Sequence, residues 1–177
     1  MRYSCLERCG EAMTLSITNI FLVILSALAP VSEVRGAIPL AYAISQDSSV
    51  RWLLIILAVL CNSLIPFVAL EILRFLESSL LNSSNRLVKI VARLYSRLVC
   101  KARREGLKYL GKWGYLGLTA FVAVPLPVTG AWTASLITHV FGLDKLRASL
   151  AIVVGVLIAS VIVVLVMEGV IALINLL

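Results

Sequence analysis

The chain has 177 residues, 61% of them hydrophobic and 14% charged, with a mean hydropathy of +1.04. That balance lies above the apolar share and below the charged share of water-soluble domains, so it excludes an ordinary soluble fold, while the length suits one domain. The net charge of +7 is concentrated in one stretch, where nine basic residues between Arg86 and Lys112 stand against a single acid, Glu105. In so apolar a chain that bias marks a cytoplasmic segment of a membrane protein and speaks against nucleic-acid binding.

Taken in order, the first apolar run is Met13 to Ala29. It has the look of a secretory leader, with Ala27-Leu28-Ala29 resembling a cleavage site, but the charges ahead of it cancel (Arg2 and Arg8 against Glu7 and Glu11) and Pro30 follows directly. A first membrane helix is the preferred reading. Next comes Pro30 to Leu40, which sets Glu33 and Arg35 beside Gly36 and between Pro30 and Pro39. Each charge deep in a bilayer costs at least about 2.5–3.5 kcal/mol, so two of them at helix-breaking residues point to a broken, membrane-embedded segment that carries a site. Gln46 to Arg51 is a polar turn, and Trp52 opens a long helix containing Asn62, Ser63 and Pro66. A kink is expected near Pro66, and the charged turn Glu71, Arg74, Glu77 is expected to end the helix.

From Arg86 the basic positions recur at steps of three or four (Arg86, Lys89, Arg93, Arg97, Lys101, Arg104, Lys108), with Leu87, Val91, Leu94 and Leu98 on another face. This is an amphipathic basic helix suited to the anionic inner leaflet or to a partner helix. A second apolar region, Leu116 to Leu143, is interrupted by Pro125, Pro127, Thr129 and Gly130, which no continuous helix accommodates. Asp144, Lys145 and Arg147 mark an interface, and a last apolar run, Ala148 to Leu177, carries Ser160, Glu168 and Asn175 among its few polar positions.

Glu33-Val-Arg-Gly-Ala matches Pro127-Val-Thr-Gly-Ala at three of five positions, 94 residues apart. The expected fold is therefore all-α: a polytopic, multi-pass cell-membrane protein of two inverted repeats. Each repeat is a re-entrant helical hairpin followed by a spanning helix. The repeats cover about 13–76 and 113–177 of a single domain, 1–177, and a basic linker covers about 77–112. The hairpins are expected over about Met13–Ser45 and Leu116–Phe141, the through-spans over about Trp52–Phe75 and Leu146–Met167. Inverted repeats place a transport site near the midplane, where discontinuous helices meet. If both hairpins re-enter, the termini lie outside and the basic segment inside; if the first region spans fully, the amino terminus moves inside.

At these two motifs the sequence resembles a known family. Glu33-Val-Arg-Gly-Ala-Ile-Pro-Leu and Phe121-Val-Ala-Val-Pro-Leu-Pro-Val-Thr-Gly-Ala-Trp-Thr-Ala look like the paired signatures of the putative small multidrug export proteins, with Val128 where glycine is expected in many relatives. Roughly Thr14 to Val170 fits that family's layout. The family is similar in turn to the DedA (VTT-domain) proteins, which have two facing re-entrant loops and are linked to proton-coupled transport and to movement of lipid-linked phosphates or phospholipids. The resemblance implies transport of a small molecule or a lipid.

The residues assign themselves to that chemistry as follows. Arg35 is the candidate anion-recognising group, since a guanidinium binds phosphate through two donors at once. Glu33 is the candidate proton carrier, because burial and a neighbouring Arg35 pull its titration in opposite directions. Helix ends freed at Pro39, Pro125 and Pro127 would add N–H donors, with Gly36 and Gly130 giving room, and Thr129 and Trp132 lining the opposing wall. The bland alternative is that Glu33 and Arg35 only pair with each other. Glu168 and Asn62 are secondary candidates, Asn62 being more simply interhelical glue. His139, the single histidine, reads as interfacial. The four cysteines (Cys5, Cys9, Cys61, Cys100) form no CxxC and have no histidine beside them, so neither a metal, a cofactor nor a disulfide framework is expected. Paired aspartates, a histidine–glutamate metal motif and a serine–histidine arrangement are all missing from the sequence, so enzyme chemistry is not expected. The functional classes left open are a proton-coupled transporter or flippase, a passive scramblase, and a structural membrane protein. Membrane lipids are the expected partners, with a homo-oligomer left open.

Overall fold

The computed structural model describes residues 17–82, 113–126 and 129–176. The basic segment Arg86–Lys112, the residues Pro127 and Val128, and three of the cysteines (Cys5, Cys9, Cys100) lie outside the described residues. All six described elements are helices: α1 (Ile17–Leu28), α2 (Glu33–Ile44), α3 (Ser48–Asn82), α4 (Trp113–Ala123), α5 (Ala131–Phe141) and α6 (Lys145–Leu176). Two short helices and a long one thus occur twice in succession.

Length separates the two kinds. At 12 residues each, α1 and α2 are about 18 Å long, short of the roughly 30 Å of a bilayer's hydrocarbon core; α4 and α5, at 11 residues, are no longer. Helix α3, with 35 residues, and α6, with 32, reach about 50 Å and are the two helices long and apolar enough to cross a membrane. Both exceed the expected spans. Helix α3 continues through Glu71, Arg74 and Glu77, where the sequence reading ends it and begins the linker, because those side chains find partners beside the helix (Lys145 for Glu71, His139 for Glu77) and do not need to leave it. Pro66 sits inside α3 as well, buried, with helix on both sides.

The starts of the two long helices are built alike. The Asp47 carbonyl accepts from the Arg51 N–H at 3.0 Å and its carboxylate from the Ser49 N–H at 3.0 Å. The Asp144 carbonyl accepts from Ala148 at 2.9 Å and its carboxylate from the Arg147 N–H at 3.0 Å. Each aspartate thereby satisfies N–H groups that a helix start leaves without partners. The two caps are 97 positions apart. The 94-residue match of the sequence pairs Gly36, inside the first turn of α2, with Gly130, the N-cap of α5, so it equates positions with different structural roles.

The described residues fall into two compact units, Met1–Asn62 with Ile158–Leu177, and Ser63–Leu157. Each long helix contributes one half to each unit. In the first, α1 packs on α2, and Val23, Ala27, Val34, Ala37, Ile38 and Ala41 are buried with Leu54, Ile55 and Ala58 of α3. In the second, Leu118 and Val122 of α4, Ala131 and Ala134 of α5, and Ala148 and Ile152 of α6 are buried. The buried positions are largely small, which lets backbones approach where lipid removes the usual hydrophobic drive between helices. The outer faces are equally apolar. Leu53, Ile56, Leu60, Leu64, Val68, Ile72 and Phe75 form an exposed stripe along α3, and Leu146, Leu150, Val154, Leu157, Val161 and Leu165 another along α6. Helices apolar on every side suit lipid surroundings and not water.

In the second unit α6 and α4 approach closely at Gly155. A Cβ there would stand 2.7 Å from the Val122 Cβ and 2.8 Å from the Thr119 carbonyl. Beside it the Thr119 hydroxyl reaches the Ala151 carbonyl of α6 at 3.0 Å, with its own Tyr115 carbonyl at 3.1 Å as the alternative acceptor. By contrast, a Cβ at Gly169 meets nothing within 4 Å. Gly155→Ala is therefore expected to destabilise by about 1–3 kcal/mol through overpacking, and Gly169→Ala to be neutral or stabilising by up to about 1 kcal/mol through helix propensity. Thermal unfolding of both variants in one detergent checks this; changes of the same sign would refute the close-approach account.

Candidate functional site

The first break is built from Ala29 to Ser32. Pro30 disfavours helical backbone at the residue before it, and α1 accordingly ends at Leu28. The Ala29 N–H donates to the Leu25 carbonyl at 3.0 Å and the Glu33 N–H to the Ala29 carbonyl at 3.1 Å. The Ser26 and Ser32 hydroxyls close the turn at 2.7 Å, so Ser32, although it is the N-cap residue, places no side-chain cap on α2. Gly36 makes the room: a Cβ at that position would lie 2.0 Å from the Ser32 Oγ.

Glu33 opens α2 with φ at 49°, the one positive φ outside glycine among the described residues. An L-residue with a long side chain pays about 1–2 kcal/mol for that conformation, and such outliers persist where the surroundings over-determine them. Glu33 is also buried, at 6% exposure. Arg35 is half-buried and close enough for its charge to interact with that of Glu33. Burial, strain and an opposite charge thus converge on a single carboxylate.

The proline expected to break this region does not. Pro39 lies inside α2, in its second turn, with helix before and after it. It removes one rung of the hydrogen-bond ladder without ending the helix; Pro30 makes the break instead. Asn62 of α3 closes the same region from outside. It is fully buried, and its Nδ2 donates to the Ala27 carbonyl at 3.1 Å, one of the carbonyls that the end of α1 leaves over. Asn62 is a structural cap for the break, and its Oδ1 accepts no hydrogen bond among the described residues.

The second break runs from Val124 to Gly130. The Leu126 N–H donates to the Val124 carbonyl at 2.8 Å across Pro125, which is exposed. Thr129 ties the turn, with its hydroxyl 2.9 Å from the Val124 carbonyl and 3.0 Å from that of Leu126. Gly130 is the buried N-cap of α5 and accepts from the Ala134 N–H at 3.0 Å. Trp132 is half-buried in the first turn of α5, and Pro127 lies outside the described residues. Glu33, Arg35, Gly36, Pro39 and Asn62 belong to the first compact unit, and Pro125, Thr129, Gly130 and Trp132 to the second.

Two constellations have no counterpart in the sequence reading. Glu168 accepts a 2.6 Å hydrogen bond from the Tyr42 hydroxyl, and the Arg51 guanidinium lies 4.8 Å above the centre of the Tyr42 ring. So Glu168 joins the far end of α2, not the Glu33 break. In the second unit Lys145 binds Glu71, and the His139 Nε2 lies 3.1 Å from the Glu77 Oε2. His139, expected at an interface, is buried. The clue available in sequence was the 97-residue spacing set by Asp47 and Asp144, which also relates Tyr42 to His139 and Glu71 to Glu168.

The sequence pattern of the family described as putative small multi-drug export proteins matches residues 33–162. The chain belongs to that family. The match starts at Glu33, directly after the first break, and takes in α2, α3, the second break and half of α6, a narrower span than Thr14 to Val170. No curated protein and no solved structure matches the chain. Membership of the small multi-drug export family, with two long helices whose faces are apolar all round, makes this a helical membrane protein.

The strain at Glu33 is directly testable. Glycine adopts the left-handed conformation without penalty, so Glu33→Gly is expected to be more stable than Glu33→Ala by about 1 kcal/mol. Thermal unfolding in detergent measures the difference, and an alanine variant as stable as the glycine one would mean that the φ of 49° carries no cost.

Proposed function

We propose that the protein is a proton-coupled membrane transporter that moves a small molecule or a lipid-linked phosphate, with Glu33 and Arg35 at its site. One observation carries the reading: Glu33 is a buried carboxylate held in left-handed backbone at a helix break, two residues from an arginine. A merely structural pair gives no reason to hold a carboxylate in strained backbone, whereas strain is commonly retained where a site is preorganised.

In this mechanism Arg35 binds the anionic group of the substrate and Glu33 carries the proton. While Glu33 is ionised, it neutralises Arg35; when it takes up a proton, the guanidinium is released to the substrate anion. Substrate and proton therefore enter together, and loss of the proton expels the anion. The N-terminus of α2 adds a positive dipole end to the same side. Chemistry beyond proton movement is not required, so the protein is read as a transporter and not as an enzyme.

The short helices fit re-entrant hairpins of the DedA kind. Each pair breaks in mid-run at proline-bearing turns, each limb is too short to span, and a long apolar helix follows each pair, as inverted repeats require. The shared aspartate caps at a spacing of 97 support the duplication. In this reading the basic segment Arg86–Lys112 rests on the anionic inner leaflet of the cell membrane, and the chain passes through that membrane more than once.

Reconstitution in liposomes tests the proposal, following flip of a fluorescent polyprenyl phosphate with and without a pH gradient. Wild type is expected to gain rate from the gradient, and Glu33→Gln to lose that gain. Arg35→Ala removes charge-assisted hydrogen bonds worth about 1.5–3 kcal/mol and should slow flip roughly tenfold to a hundredfold. Flip without any response to the gradient would establish a passive scramblase instead. If wild type and both variants behave alike, Glu33 and Arg35 are a structural pair.

A further inference from the structure

The end of α5 is fixed by a tight cap. Gly142 stands in the left-handed region with φ 65° and ψ 35°, its N–H donates to the His139 carbonyl at 3.3 Å, and the Leu143 N–H donates to that of Thr138 at 3.1 Å. This holds His139 in the last turn of α5, where its imidazole meets Glu77 of α3 at 3.1 Å. The side chains are 5% and 21% exposed, respectively. Beside the pair is a cavity of about 350 Å³, lined by Arg74, Glu77, Thr138, His139 and Lys145 among others. A single water needs about 10–15 Å³ of such space, so water has ample access to the pair.

The charges around the imidazole come from each helix that borders the cavity. Helix α3 supplies Glu77 and Arg74, and α6 supplies Lys145, whose charge is met by Glu71 of α3. Asp144, next in chain, is engaged with the N–H of Arg147. Among the described residues lining the cavity, the remaining charges are one carboxylate, Glu77, and one guanidinium, Arg74, beside the imidazole. Histidine is the side chain whose charge changes in the range of about pH 5–8.

We propose that His139 and Glu77 form a proton-binding site, separate from Glu33 and Arg35, which takes its proton from the adjoining cavity and latches α5 to α3 while the imidazole is charged. Below the titration of the imidazole the contact is an ion pair. As pH rises through that titration, the cation is lost and only a neutral contact remains, so the latch is present at low pH and weakens at high pH. The first unit carries another ring–carboxylate contact, in which Tyr42 donates to Glu168. A phenol, with an ordinary pKa of about 10, keeps its proton throughout the physiological range. Of these two ring–carboxylate contacts, only the one at His139 therefore responds to pH. The proposal rests on the transport reading only for what the proton drives, since proton binding at this site does not depend on transport.

Because His139 is the single histidine, protein labelled with ¹⁵N-histidine and held in phospholipid nanodiscs gives one imidazole signal. That signal is expected to titrate reversibly between about pH 5 and 8. In Glu77→Gln the midpoint should fall by about one pH unit, since the neighbouring carboxylate that favours the cation is gone, and Glu77→Asp should restore part of the shift. An imidazole that does not titrate in this range, or a midpoint unmoved in Glu77→Gln while Glu77→Asp folds normally, overturns the proposal. The readout needs no transport activity, so a protein that flips no lipid but titrates as expected refutes the transport reading alone. In liposomes that do flip lipid, His139→Gln should flatten the pH dependence of the rate, and an unchanged pH profile would show that the latch does not serve transport.

Discussion

A helix that stops among apolar groups must find partners for the last carbonyls of its ladder, and much of this structure follows from that requirement. At the end of α1 the solution is Asn62, whose amide reaches the Ala27 carbonyl from the middle of α3. A fully buried asparagine in a spanning helix is costly by itself. It is tolerated because the alternative, a carbonyl left without a donor in a medium that offers no water, costs more. The second break solves the same problem locally: the Thr129 hydroxyl serves the carbonyls of Val124 and Leu126 within its own turn. With both breaks satisfied, helix ends can exist among apolar groups, and a charged group can be held beside the first of them.

Glu33 occupies the first of those places. It combines burial and left-handed backbone, both unfavourable for a long acidic side chain, with an adjacent guanidinium whose charge offsets part of that cost. Ser26, Ser32 and Gly36 do the holding: the hydroxyl pair closes the turn ahead of Glu33, and the missing Cβ of Gly36 leaves space for that pair. Gly36 is therefore a component of the turn and not only a point of flexibility in α2. The second titratable centre, His139 with Glu77, follows a different design. It joins the end of a short helix to the long helix α3 beside a cavity, and it is held by the Gly142 cap.

How legible all this was depends on the range of the interaction. The two apolar helices and the two breaks could be read from local composition, because proline, glycine and charge act on the residues beside them. Pro39 shows the limit of such reading. The residue type disfavours a helix, yet Pro30 had already ended α1 nearby, and α2 absorbs the loss of one N–H. The end of α3 was misjudged for a related reason. Glu71, Arg74 and Glu77 resemble a terminal turn when taken alone, but they point to Lys145 and His139, more than 60 positions away. The short match at 94 pairs positions with different backbone roles, whereas the two aspartate caps, which fix backbone hydrogen bonds, stand 97 apart.

The sequence by itself determined that this is an all-helical membrane chain with broken apolar regions. Apolar run length and helix-breaking residues are properties of consecutive positions, and the absence of water in lipid leaves the backbone few alternatives. Tertiary structure decided the rest: that Asn62 caps a helix 35 positions away, that Glu168 meets Tyr42, and that the one histidine meets a carboxylate beside a cavity. Those pairings depend on how helices lie against one another, and no periodicity within a single helix encodes which distant side chain will stand opposite.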